Sequence, residues 1–146
     1  MDYRELKFYQ KAQEVVKGVN IEIKQWPKTM QSVEISQQLF RAAVSVGSNI
    51  AEGHGRHEGR EYIHFLTISQ GSANEIDHWL NTALICGIGS GNEIRELLAL
   101  NNETRKMLTA TLNTLTSHLS VKTVREESPI PYSPSPSSPD NESELS

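Results

Sequence analysis

The chain has 146 residues, a hydrophobic fraction of 36% and a formal net charge of −4, which suits one domain with a buried core. Its apolar runs are too short to span a bilayer and its N-terminal residues are polar, so we expect a cytoplasmic protein without a signal peptide or membrane span. Cys86 is the only cysteine, which excludes a disulfide or thiolate metal cluster within one chain, and its apolar context predicts a buried, unreactive thiol.

The first two helices are predicted from apolar residues that recur at three- and four-residue steps, the spacing of one helix face. In the first helix these residues are Phe8, Ala12, Val15, Val19, Ile23 and Trp26. Pro27 should end that helix. In the second helix they are Ile35, Leu39, Ala42, Ala43, Val46 and Ile50.

The third helix is predicted to open near Glu58 and to end at Cys86-Gly87. Its core-facing residues are Tyr62, Leu66, Ser69, Ala73, Ile76, Leu80 and Leu84. The fourth helix follows the loop GIGSGN and carries Ile94, Leu97, Leu98, Leu108, Leu112, Leu115 and Leu119. Short connections make neighbouring helices antiparallel, and no strand pattern competes. We therefore predict an all-α, antiparallel up-down-up-down four-helix bundle over residues 1–125.

Residues 126–146 are predicted to form a disordered, acidic tail rich in Ser and Pro. The tail holds five of the eighteen acidic residues, so residues 1–125 carry all fourteen basic residues and thirteen acidic ones. This body is close to neutral, whereas strong nucleic-acid binders usually carry a clear basic excess. Any binding to nucleic acid must therefore rest on a local patch.

Two Glu-x-x-His pairs on the third helix suggest a di-metal bundle at first sight, since such bundles take this motif from each of two helices. The pairs are Glu61 with His64 and Glu75 with His78. They are fourteen residues apart on one helix, which is about 21 Å along its axis. They cannot share a dinuclear site, and we predict no metal.

Two glycine clusters resemble phosphate-binding loops only superficially. One runs from Gly53 to Gly59 and the other contains Gly87, Gly89 and Gly91. Both join helices, whereas the dinucleotide fingerprint requires a preceding strand, and neither has the Lys-Ser/Thr of a P-loop. We predict turns in which these glycines take positive φ at helix C-termini. Because no spacing assembles a nucleophile with a base either, neither an enzyme nor a cofactor is predicted.

The third helix carries a second stripe that is rotated from its core face. The stripe comprises Glu61, Phe65, Ile68, Ser72, Glu75 and Trp79. At 100° per residue, Ile68 and Trp79 lie well outside the core face. They could cap the edge of the bundle, since single apolar residues are often exposed. Two apolar residues in one line, with small and charged residues beside them, favour a contact between subunits.

The second helix carries a polar stripe on the face away from its core residues, and this stripe continues into the following turn. It comprises Arg41, Ser45, Ser48, Asn49, Glu52 and Arg56. One interpretation is a solvated helix face with a glycine cap. The other is a packed polar contact, either with a neighbouring subunit or with a phosphate held by Arg41, Arg56 or Arg60.

The segment LFRAAVSVGSNIAEGHGRHEGR (residues 39–60), followed by Glu61, Phe65, Leu66 and GSANE (71–75), resembles a bacterial four-helix-bundle family. This family is encoded within intervening sequences of large-subunit ribosomal RNA genes. The start YRELKFYQKA resembles the family's first helix. The resemblance covers residues 3 to about 118 and is most specific in NIAEG (49–53) and Arg56.

The resemblance implies an assembly more than an activity. Members of the family look like homopentamers with a central funnel. One branch is the accessory variability determinant of diversity-generating retroelements, which associates with a reverse transcriptase and with nucleic acid. By position, the polar residues of the motif would be Arg41, Asn49, Glu52, Arg56, Glu61 and Glu75. These coincide with the stripes on helices two and three.

We therefore predict a non-enzymatic, self-associating protein, pentameric by resemblance, that binds RNA or DNA through weak basic contacts repeated around a ring. The predicted oligomer or motif surface comprises Arg41, Asn49, Glu52, Glu61, Phe65, Ile68, Glu75 and Trp79. The candidate nucleic-acid contacts are Lys7, Lys11, Lys17, Lys24, Lys28, Arg56 and Arg60. The alternative is an oligomeric scaffold that binds a protein partner, for example a reverse transcriptase, without touching nucleic acid.

Overall fold

The computed structural model describes residues 1–56 and 59–127, with side chains through residue 122. After a short 3₁₀ turn at Tyr3–Glu5 come four helices: α1 (Lys7–Lys24), α2 (Met30–His54), α3 (Gly59–Ile85) and α4 (Gly91–Glu127). The all-α prediction is confirmed, and residues 1–56 and 59–127 contain no strand. None of the helices in these ranges is long and apolar enough to cross a membrane.

Two predicted boundaries lie close to the ends of the described ranges. Helix α4 continues to Glu127, two residues past the predicted end of the bundle at residue 125. The predicted Ser/Pro-rich tail from residue 128 onward lies outside the described residues, as do His57 and Glu58, where we predict the third helix to open.

The first two helices have clear start and stop signals. Helix α1 ends at Lys24, shortly before Pro27, which has no N–H to continue a helix. The Thr29 side chain then caps α2, because its hydroxyl oxygen accepts a hydrogen bond from the Ser32 N–H at 3.2 Å. The chain therefore reverses direction within a few residues.

The corner between α3 and α4 depends on two glycines. Ile88 N donates to the Ala83 carbonyl at 2.9 Å and Gly87 N to the Leu84 carbonyl at 3.1 Å, the two bonds of a Schellman motif. Gly87 has φ of 67° and Gly89 has φ of 77°, a region that favours glycine. Positive φ is thus confirmed at these two positions.

Four other predictions about turn residues are wrong. Gly53 lies inside α2, and Gly55 caps that helix with φ of −75°, because α2 runs one turn further than its glycines suggest. Gly91 begins α4 and has no positive φ. Cys86 is exposed rather than buried, since it follows the last residue of α3 and lies in the solvent-facing corner.

The helices pack antiparallel in the predicted up-down-up-down bundle. Each packs against its neighbours in sequence, and α1 also packs against α4. Among the described residues the two diagonal pairs make no close backbone contact. The largest fully buried apolar residues include Val19, Leu39, Ile50, Leu66, Leu80, Ile94 and Leu108, all predicted as core. Six predicted core residues are only partly buried at its edge, namely Ile23, Tyr62, Leu84, Leu98, Leu115 and Leu119.

Polar side chains also enter the core and bond to the backbone of neighbouring helices. Ser69 Oγ on α3 donates to the Val46 carbonyl on α2 at 2.9 Å. Asn101 on α4 is 1% exposed and donates through Nδ2 to the Ala73 carbonyl on α3 at 2.9 Å. Because these bonds join specific turns, they fix the relative height of the helices, which apolar packing alone specifies less sharply.

Candidate assembly and nucleic-acid surfaces

The polar stripe of α2 and the second stripe of α3 meet along one line between the two helices. The hydroxyl oxygens of Ser45 and Ser72 lie 2.8 Å apart in a hydrogen bond. Asn49 Nδ2 donates to the carbonyl of Ser45 at 2.8 Å and to its hydroxyl at 3.1 Å. We call the row that contains Ser45, Asn49 and Ser72, and that ends at Arg56 and Phe65, the α2–α3 seam. The structure thus joins two stripes that the sequence predicts separately, and their small polar members bond within one chain.

One end of the seam depends on a glycine. A Cβ atom added to Gly53 would lie 2.8 Å from the Phe65 Cβ and 3.2 Å from Tyr62 Cδ2, so α2 and α3 are in close contact here. Arg56 forms an ion pair with Glu52, and its guanidinium carbon lies 5.4 Å from the centroid of the Phe65 ring. The charge of Arg56 is therefore partly compensated, which weakens its candidacy for a phosphate contact.

The outer members of the two stripes face solvent beside the seam. Arg41, Glu61 and Glu75 are exposed, and none of them makes an ion pair with another described residue. Ile68 is 39% exposed, and Trp79 is half-buried against the core. A row that combines exposed apolar side chains with uncompensated charges has the composition expected of a contact with another chain.

Helix α2 carries a further exposed apolar row that the sequence analysis does not predict. Val33, Phe40 and Val44 lie at seven- and four-residue steps, and each is 39% exposed. The row lies on the flank toward α1, because Gly47, in the next turn, approaches the Tyr9 ring. Its spacing is visible in the sequence, but these residues sit beside the longer core stripe and were not separated from it.

The two Glu-x-x-His pairs do not converge with other ligands. Glu61, His64, Glu75 and His78 are all exposed on α3. Within the described parts of the chain, no group of three or more His, Cys, Asp or Glu residues could hold a metal ion.

The predicted nucleic-acid contacts fall into two groups. Lys11 Nζ lies 3.2 Å from Glu103 Oε2 and 3.7 Å from Glu14 Oε2, and its hydrogen bond to Glu103 raises the pKa of Lys11. Five other candidates are exposed and make no ion pair in residues 1–56 and 59–122, namely Lys7, Lys17, Lys24, Lys28 and Arg60. Helical spacing separates Lys17 and Lys24 from Lys7, so these residues do not form one patch.

A carboxylate is buried at the other end of the bundle, which the apolar pattern of α1 does not predict. Glu22 is 3% exposed, and its Oε1 accepts hydrogen bonds from Trp26 Nε1 and from Ser90 N, each at 3.1 Å. Gly89 permits this approach, since a Cβ there would lie 2.6 Å from Glu22 Oε1. Glu22 raises the pKa of Glu93 in two ways. The larger effect is the hydrogen bond between the two side chains, and the second is the repulsion between their negative charges. This cluster ties the end of α1 to the α3–α4 corner.

A polar groove of about 620 Å³ lies between α3 and α4 and was not predicted. We call it the α3–α4 groove, and it is lined by Gln70, Asn74, Asn102, Arg105, Lys106, Thr109, Ala110 and Asn113. Gln70 Nε2 donates to Thr109 Oγ1 at 2.6 Å, and Arg105 Nε donates to Asn74 Oδ1 at 3.0 Å. Such residues are common on any solvated helix face, so the sequence holds no signal that sets them apart.

The sequence profile of the family described as 23S rRNA-intervening sequence protein matches residues 4–110. Among solved structures, a protein from Bacteroides thetaiotaomicron VPI-5482, described as having unknown function and as belonging to the S23 ribosomal protein family, is similar with a TM-score of 0.64. The two chains share 24% sequence identity, and the match covers 72% of this chain and 97% of that one. This likeness shows a common fold. No curated protein matches the chain.

Proposed function

Because the chain belongs to the 23S rRNA-intervening sequence protein family, we propose that it is a non-enzymatic protein that assembles into a ring-shaped homopentamer and binds RNA or DNA. Its membership of this family, predicted from the resemblance around residues 39–60, is confirmed. The proposed subunit number comes from that resemblance, and the proposed surfaces come from the described residues.

The observation that carries the assembly is the exposed row beside the α2–α3 seam. Ile68 and Trp79 offer apolar area to another chain, while Arg41 and Glu75 offer charges that are uncompensated within the described residues. In a cyclic ring each subunit uses two different patches, so this row would pack against a second surface of its neighbour. The apolar row of α2, with Val33, Phe40 and Val44 exposed, is the surface that we propose for this role.

Nucleic-acid binding is proposed to arise from repetition. One subunit offers few cations, and its body is close to neutral. Five copies multiply each phosphate contact, and a second contact on the same strand benefits from a high effective concentration. Weak basic contacts in one subunit can therefore add up to useful affinity around a ring.

The test combines mass with binding on the full chain. Light scattering gives the number of subunits, and fluorescence-anisotropy titrations with a structured RNA and a duplex DNA are run at low and at physiological salt. A pentamer that binds either probe saturably, with affinity that falls steeply as salt rises, supports the proposal. A monomeric mass overturns the proposed assembly, and the absence of binding at low salt overturns the proposed nucleic-acid binding.

A second candidate is an oligomeric scaffold for a protein partner such as a reverse transcriptase. The exposed row of Val33, Phe40 and Val44 favours it, since aligned apolar side chains on a soluble helix usually meet another protein. This candidate predicts an oligomer that binds neither nucleic-acid probe, so the same titrations separate it from the first.

A further inference from the structure

We infer that the α3–α4 groove binds the phosphate–sugar backbone of a single nucleic-acid strand. This inference rests on the proposed function and assigns it a site that differs from the lysines of α1. The groove has a volume of about 620 Å³, which lies in the range of pockets that hold small organic ligands. It is open along one side, so a strand could pass through it without threading.

The side chains of the groove supply hydrogen-bond donors and no lining carboxylate. Lys106 makes no ion pair with the described residues. Asn102 and Asn113 lie on the same side of α4 and line the groove with it. Amide groups of Asn donate to phosphate and sugar oxygens, while an ammonium adds the charge that releases counterions. Together they fit the polar, anionic surface of a nucleic-acid backbone.

Arg105 is held in an orientation suited to the groove. Its Nε donates to Asn74 Oδ1 at 3.0 Å, and its NH1 lies 3.4 Å from Asp77 Oδ1. The Arg105 side chain stays 33% exposed and lines the groove. A guanidinium fixed on one side and accessible on the other loses little freedom when it binds an anion.

The distribution of charge on α4 favours anion binding on the side that faces α3 and lines the groove. On the side toward α1, Glu103 pairs with Lys11, and Glu93 and Glu96 line a second pocket with residues of α1. On the side toward α3 lie Arg95, Lys106 and Arg105, and Asp77 of α3 partly compensates the charge of Arg105. Helical spacing places Arg95 two turns before the groove residue Asn102. Arg95 and Lys106 therefore make the α3 side of α4 more favourable for a polyanion than the α1 side.

The test uses the full chain and two labelled oligonucleotides, a short single-stranded RNA and a DNA of the same sequence, in anisotropy titrations over a salt series. Lys106→Ala removes one cation from the groove, and Arg4→Ala removes an exposed cation of the N-terminal turn as its control. Lys17→Ala removes one of the contacts predicted on α1 and tests that competing site. Asn113→Asp adds a carboxylate to the groove at almost constant shape, and Gln37→Glu adds one at an exposed position of α2. Light scattering and thermal unfolding check that each variant keeps its assembly and fold.

We expect Lys106→Ala to weaken binding about three- to fivefold at physiological salt and to reduce the slope of log K against log salt by about 0.7, the value for one phosphate contact on a single strand. Asn113→Asp should weaken binding at least as much, whereas Arg4→Ala and Gln37→Glu should change it less than twofold. Binding of both oligonucleotides indicates a backbone site, and preference for the RNA adds a contact to the 2′-hydroxyl.

Two results would overturn the inference, and they are distinguishable. If the wild-type protein binds but Lys17→Ala weakens it as much as Lys106→Ala does, the site is not the groove and the proposed function stands. If the wild-type protein binds no oligonucleotide at low salt and no structured RNA or duplex DNA, the nucleic-acid function and the groove site both fail.

Discussion

Gly53 on α2 and Phe65 on α3 approach so closely that a Cβ added to the glycine would lie 2.8 Å from the Cβ of the phenylalanine. Gly53 is therefore required by a helix–helix contact and not by a turn. This contact positions the end of the seam, where Arg56 lies over the Phe65 ring. The specific motif NIAEG thus includes a glycine whose role is steric.

The first prediction follows from this contact. Gly53→Ala should lower the free energy of unfolding by about 1–3 kcal/mol, because the methyl group forces α2 and α3 apart. The matched control is Gly71→Ala on α3, where an added Cβ would meet nothing within 4 Å. There the higher helix propensity of alanine should add about 0.5–1 kcal/mol. Urea denaturation measures both; equal gains at the two positions would contradict the close contact.

The second prediction concerns assembly through the row beside the seam. Ile68→Lys should shift the protein to a lower mass in light scattering at equal concentration, because it places a solvated charge where we propose apolar contact. Ile21→Lys makes the same change at an isoleucine on α1 that is 51% exposed, and it should leave the mass unchanged. An undiminished oligomer in Ile68→Lys would place the subunit contact elsewhere.

The third prediction is a pH dependence. The hydrogen bond and charge repulsion from Glu22 raise the pKa of Glu93 in the folded protein, so the folded state holds this proton more tightly than the unfolded state does. Stability should therefore fall as pH rises from the ordinary pKa of glutamate through the raised value. Glu93→Gln, which keeps the shape and removes the charge, should be more stable than wild type at neutral pH.

The control for this pH effect is Glu34→Gln, at an exposed carboxylate on α2. The difference between Glu93→Gln and wild type should shrink on acidification, since Glu93 is then protonated in both states of the wild type. Denaturation curves at several pH values measure this. A gain from Glu93→Gln that stays constant down to acidic pH would disprove the coupling with Glu22.

The fourth prediction separates two costs at the α3–α4 corner. Gly87→Ala should cost about 1–2 kcal/mol of stability, because alanine disfavours positive φ while open space surrounds its Cβ. Gly89→Ala should cost about 1–3 kcal/mol more, since its Cβ would also push Glu22 away from Ser90 N and leave buried polar groups unpaired. Equal losses of stability in Gly87→Ala and Gly89→Ala would show that the Glu22 cluster adjusts to the added methyl group without losing stability.

Most of the fold could be predicted because apolar periodicity reports burial directly. Leu39, Ile50 and Leu66 follow the helix spacing and are fully buried. The pattern fails where a polar residue takes a core position. Glu22 and Asn101 count as solvent-facing in any apolar pattern, yet Glu22 Oε1 accepts a hydrogen bond from Ser90 N in the α3–α4 corner, and Asn101 Nδ2 donates one to the Ala73 carbonyl of α3.

Only some of the surface features can be predicted from the sequence, because residue spacing describes one helix at a time. Stripes on one helix follow from spacing, so the rows that contain Ser45 and Ser72 can each be predicted, whereas the hydrogen bond between these two residues cannot. The α3–α4 groove depends on how two helices are rotated about their axes, since Gln70 and Asn113 share a pocket only in the assembled bundle. That rotation is set by packing of the whole core, which no single stripe encodes.

Helix α4 carries the exposed cations Arg95 and Lys106 on its side toward α3, and Glu93 and Glu96 on its side toward α1. A net charge of −4 alone predicts that the protein flows through a cation-exchange column at neutral pH. A molecule with a local cationic face can instead turn its side with Arg95, Arg105 and Lys106 toward a sulfonated bead, so that its retention reflects one face and not the average. Chromatographic behaviour would then report the orientation in which the protein meets any polyanion, well before the natural one is identified.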